Sequence, residues 1–163
     1  VTNEALEEQL AGLLGGRIAE EVNYGTLGAG ALSDLERATK TAYAMVAYYG
    51  MSKKIGPISY YDSTGTRDTF TKPFSEQTAR DIDCEVRRML EDAYACARKI
   101  IEQKNDKINA MAGLLLEKET IYAEDIEQIL GPSAQSVKRA AAADTKPEAA
   151  AGGTAAANEL TEA

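Results

Sequence analysis

From Ser75 onward, Ala79, Ile82, Val86, Met89, Leu90, Ala93, Ala97, Ile100 and Ile101 recur at intervals of three, four and one. An apolar stripe of that length predicts one long amphipathic helix able to serve as the spine of a bundle. Ser75, just after Pro73, is the expected N-cap. Asp81, Glu85, Arg88, Glu91 and Arg98 largely occupy other positions and are expected on the solvated face.

Such a spine needs apolar partners, and the flanking sequence supplies them in helical form. Leu6, Leu10, Leu13, Leu14, Ile18 and Val22 mark one face of a helix over residues 3–22. Gly12, Gly15 and Gly16 weaken that helix by about 1 kcal/mol each, which points either to close backbone packing against a neighbour or to a bend at Gly15-Gly16. Leu35, Ala38, Ala42, Met45, Val46 and Tyr49 define a second helix, with Ser33 and Glu36 at capping-box spacing and Gly50 as its C′ residue. Downstream of the spine, Asn105 or Asp106 opens a shorter helix carrying Ile108, Met111, Ala112, Leu115 and Leu116. A last helix, from about Ala123 to Leu130, turns Ile126, Ile129 and Leu130 inward and stops at Gly131-Pro132.

The fold expected is therefore mainly α, a compact helical bundle with a small irregular or hairpin insertion. That insertion occupies residues 51–74, where Gly56-Pro57, Asp62-Ser63 and Thr64-Gly65 are turn signals. Ile58–Tyr61 and Thr69–Thr71 could be short extended segments, with an irregular connection the simpler reading. Residues 1–132 form the helical domain. Residues 133–163 are alanine-rich, with only Val137 and Leu160 as larger aliphatics, and are expected to be a disordered tail because they bury too little apolar area to offset ordering entropy.

Composition excludes several function classes. The chain of 163 residues has a formal charge of −8, so phosphate backbones are repelled and nucleic acid is not an expected partner. With no histidine, Ser-His-Asp and Cys-His mechanisms are closed to these residues alone. Cys84 and Cys96 stand in one predicted helix at a Cα separation of about 18 Å, too far to pair. They fit a reducing compartment, with Cys96 expected as a small buried side chain. No apolar run reaches membrane-spanning length and no signal-peptide pattern opens the chain, so this segment is expected to be soluble and not to insert into a membrane.

Two carboxylates merit attention. Asp34 lies at a loop-to-helix junction, where exposed N–H groups favour negative charge; helix stabilisation of about 0.3–1 kcal/mol is the plain reading. Metal ligation is the alternative, with the remaining ligands supplied from elsewhere. Glu20 is a second candidate, although Arg17 three residues earlier offers it an ordinary salt bridge. Pairing Glu20 with Asp34, or Asp62 with Asp68, does not define a glycosidase site, and Gly15-Gly16 belongs to no phosphate-binding loop.

Leu14-Gly15-Gly16-Arg17-Ile18-Ala19-Glu20-Glu21, Asp34-Leu35-Glu36-Arg37-Ala38-Thr39-Lys40 and Tyr49-Gly50-Met51-Ser52, in that order and spacing, resemble the FtsH family of membrane-anchored, ATP-dependent zinc metalloproteases. The resemblance covers about residues 6–131 and is specific as a combination. It implies the C-terminal helical part of a peptidase domain, in a hexamer at the cytoplasmic face of a bacterial inner membrane that degrades unfolded or membrane proteins. It further implies an H-E-x-x-H motif upstream of Leu14-Arg17, beyond Val1, whose histidines bind zinc and whose glutamate activates water. Asp34 would then be the third zinc ligand and Glu20 a carboxylate orienting one histidine, while ATP and Mg²⁺ would belong to a separate ATPase domain. The segment alone is expected to be inactive. The sequence departs from the family at Gly28 and Ala29, where hydroxyl side chains are usual. A noncatalytic helical scaffold or oligomerisation module is the alternative that the same pattern permits.

Overall fold

The computed structural model describes residues 1–65, 72–134 and 136–138. Among the described residues the α-helices are, in order, α1 (Asn3–Tyr24), α2 (Leu32–Ala47), α3 (Glu76–Gln103), α4 (Asn105–Lys118) and α5 (Ala123–Leu130). A single 3-10 turn, Ala29–Ala31, leads into α2, and the described residues contain no strand. The mainly α expectation is met; Thr69–Thr71 and Asp68 lie outside the described residues.

The chain divides into two units, Val1–Asn109 and Ala110–Ala163. In the first, α1, α2 and α3 enclose a shared core of Leu10, Leu14, Ile18, Ala38, Ala42, Met45, Val46, Ile82, Met89, Ala93 and Ala97. Each large side chain fully buried there contributes about 1.5–3 kcal/mol of transfer free energy. The core combines large side chains from all three helices with alanines contributed by α2 and α3.

The ends of these helices follow local chemistry. Thr2 Oγ1 accepts from Ala5 N at 3.2 Å at the start of α1, and Gly25, left-handed at φ +67°, returns its N–H to Glu21 O at the end. Ser75 Oγ accepts from Thr78 N at 3.1 Å, as the sequence predicts for α3. The start of α2 differs from expectation: its N-cap is Ala31, with no side-chain cap, and Ser33 lies inside the first turn. The preceding 3-10 turn feeds directly into helix, so the capping box has no junction to serve.

Between α2 and α3, the described segment after Ala47 is pinned by polar and aromatic contacts without forming a strand. Tyr60 N donates to Ala47 O at 2.7 Å, and the Tyr48 ring meets Tyr43 and Tyr61 edge-on at 5.4 and 5.2 Å. Gly50 is left-handed at φ +63°, and a Cβ there would stand 3.1 Å from Pro57 Cα, so both conformation and space require glycine.

Of the two readings open for the α1 glycines one falls, and two further expectations are overturned. Gly12 and Gly16 have no neighbour within 4 Å of a built Cβ, and Gly15 meets only Ile101 Cδ1 at 4.0 Å, so close backbone packing is absent and α1 continues through them. Cys96 is exposed, since it falls beside the buried Ala93–Ala97 line. Glu85, assigned to the solvated face, is only 8% exposed.

The last two helices are built differently, α4 beginning in the first unit and ending in the second. Neither α4 nor α5 buries a residue; Leu115 and Leu116 are exposed, and so is Ile126, contrary to its expected inward placement. So short a helical pair encloses too little volume for a core. Polar contacts order its turn: Lys118 Nζ reaches Asp125 Oδ1 at 2.9 Å, and Tyr122 N donates to Asp125 Oδ2 at 3.1 Å. Those two donors hold the Asp125 carboxyl below the usual aspartate range. Ser133 Oγ accepts from Ser136 N at 3.0 Å where the tail was expected to begin.

Candidate functional site

Asp34 lies where the sequence places it, in the first turn of α2. Its side chain is 45% exposed, and Arg37 Nη1 approaches Oδ1 at 3.9 Å. An ion pair so open to water contributes little to stability. The carboxylate therefore remains accessible to a further cation.

Glu20, in the C-terminal half of α1, does not take the salt bridge that Arg17 offers; its Oε2 accepts from Gly28 N at 3.2 Å. The contact links α1 to the connection that enters the 3-10 turn and then α2. Glu21, its neighbour, is committed elsewhere, with Oε1 3.3 Å from Arg98 Nη1 on α3. Successive carboxylates on α1 thus serve different elements, one reaching the loop before Asp34 and the other the spine.

Among the described residues no group of three or more His, Cys, Asp and Glu side chains could hold a metal ion. One carboxylate is an accepted zinc ligand, but a zinc site takes three or four protein ligands, which these residues alone do not supply. A groove of about 620 Å³ between α1 and α3, lined by Ala11, Gly15, Met89, Ala93, Ala97 and Ile101 among others, includes neither candidate.

Sequence reasoning missed the most enclosed polar cluster. Ser52 Oγ donates to Glu85 Oε2 at 2.6 Å, and Arg88 Nε and Nη2 reach the same carboxylate at 3.2 Å each. Arg88 also contacts Asp92 Oδ2 at 2.9 Å. The cluster ties the segment following α2 to α3. The position of Glu85, three residues after Ile82 and four before Met89, was the available signal.

Comparison of the sequence with known proteins gives the class to which this three-helix core belongs. The model of Peptidase family M41 matches residues 1–129, and the chain belongs to that family. It is 47% identical over 133 residues to the ATP-dependent zinc metalloprotease FtsH of Parabacteroides distasonis, an alignment covering 82% of this chain and 19% of that protein. The protein of the same name from Rhodothermus marinus is 48% identical, with 80% of this chain and 19% of that one covered. A component of the mouse mitochondrial inner membrane m-AAA protease, AFG3L2, is 40% identical over 80% of this chain and 16% of its own length. The chain thus spans about a fifth of the length of the bacterial relatives. No described helix is long and apolar enough to cross a membrane.

Proposed function

We propose that this chain is the downstream helical part of an ATP-dependent zinc endopeptidase acting on unfolded or membrane proteins, and that Asp34 is its third zinc ligand. The observation that supports the reading is the accessible carboxylate in the first turn of α2, in a chain of the M41 family. The histidine ligands come from an H-E-x-x-H motif upstream, and Glu20 orients one of them. Zinc held there supplies Lewis-acid polarisation of the scissile carbonyl and an acidified water.

The residues of this chain hold and orient rather than move protons. Asp34 offers its oxygens from a helix end whose free N–H groups favour a negative side chain. The buried core of α1, α2 and α3 fixes that end, so the ligand is presented from a rigid element. The complete protein assembles as a hexamer at the cytoplasmic face of a bacterial inner membrane, with ATP and Mg²⁺ bound by its ATPase domain.

The test is zinc affinity of a longer polypeptide that includes the H-E-x-x-H motif. Asp34→Ala is expected to weaken stoichiometric zinc binding by about two orders of magnitude or more while helical content is unchanged. Unchanged affinity would remove Asp34 from the ligand set, and an upstream region lacking the motif would favour a noncatalytic scaffold.

A further inference from the structure

We infer that Glu20 is the positioning residue for the connection that delivers Asp34, acting through the backbone N–H of Gly28. The inference rests on the reading of Asp34 as a zinc ligand. It begins from an absence of local capping: Gly28, at the N-cap of the 3-10 turn, and Ala31, at the N-cap of α2, have no side-chain cap hydrogen bond. Those are the two junctions that set where Asp34 emerges. The donor at Gly28 is instead satisfied from α1, where Glu20 Oε2 accepts it at 3.2 Å across eight residues of sequence.

Space is matched to this contact. A Cβ at residue 28 would lie 3.1 Å from Glu20 Oε2, so a side chain there would crowd the carboxylate. Glycine leaves room for the carboxylate and gives up its own cap. A carboxylate has two oxygens and about four lone-pair sites. With Oε2 on Gly28 N, Oε1 can receive a second donor such as a ligand imidazole N–H, so one side chain would fix the loop bearing Asp34 and a neighbouring ligand together.

The contact is tested in the 163-residue chain by amide hydrogen exchange at Gly28. Glu20→Ala is expected to accelerate exchange there about five- to tenfold, and Glu20→Gln, which keeps an acceptor oxygen, to restore most of the protection. Unchanged exchange in Glu20→Ala overturns the inference. In the longer polypeptide, Gly28→Pro removes the donor and sets a Cβ against the Glu20 carboxylate, so it breaks the contact from both sides; the native φ of −84° lies close to proline's range. Zinc affinity is expected to fall about tenfold in that variant, with its thermal transition retained as the folding control. Unchanged affinity in Gly28→Pro alongside a large loss in Asp34→Ala overturns the positioning role and leaves the ligand reading standing. Affinity insensitive to Asp34→Ala overturns the ligand reading, and this role with it.

Discussion

Protein donors take the place of water around the carboxylate of Glu85. Arg88 first, and then Ser52, hold its carboxyl below the ordinary glutamate value of 4.5, against the opposing effect of burial. Because the native value is depressed, the contribution to stability is complete above pH 4.5 and is lost as pH falls through the native value. Glu85→Gln should cost about 1–3 kcal/mol near neutral pH and flatten the decline in stability below pH 4.5, as urea titrations across pH would measure. Equal acid sensitivity in the variant would assign that decline to other carboxylates. The burial of Glu85 follows from stripe arithmetic with Ile82 and Met89, whereas its partner Ser52 is 33 residues away and no local pattern pairs them. The site divides in the same way: Asp34 is placed by its own helix, while the Glu20 contact to Gly28 depends on how α1 and the following turn are folded together.

Helix ends separate what short spacing specifies from what the neighbouring chain decides. Ser75 caps α3 through its own hydroxyl, and Ser75→Ala should destabilise the chain by about 1 kcal/mol, measured as a lower midpoint in chemical denaturation. No change would mean that the first turn of α3 is fixed by its core contacts alone. At α2 the equivalent signal, Ser33 with Glu36, fails because the 3-10 turn places Ser33 already inside the helix. The apolar stripes of α1, α2 and α3 were legible because each helix is long enough to repeat its pattern several times. The stripe of α4, 14 residues long, repeats about as often as that of the 16-residue α2 and still buries no residue, whereas α5, with eight residues, is too short to establish a buried face.

At the scale of the whole molecule, stability is concentrated in the Val1–Asn109 unit, which holds the core. Amide exchange under native conditions should be slowest at Met45, Val46 and Met89, and faster by two or more orders of magnitude in α5, which buries no residue. Uniform protection across both units would contradict this division. The open space beside Gly12 and Gly16 has a different consequence. Since nothing obstructs a methyl group at either position, a double Gly12→Ala, Gly16→Ala variant should raise the stability of this chain by about 1–2 kcal/mol, read as a higher thermal midpoint. The present sequence leaves that gain unrealised, so the melting temperature of α1 and its partners is set below the ceiling their own packing allows.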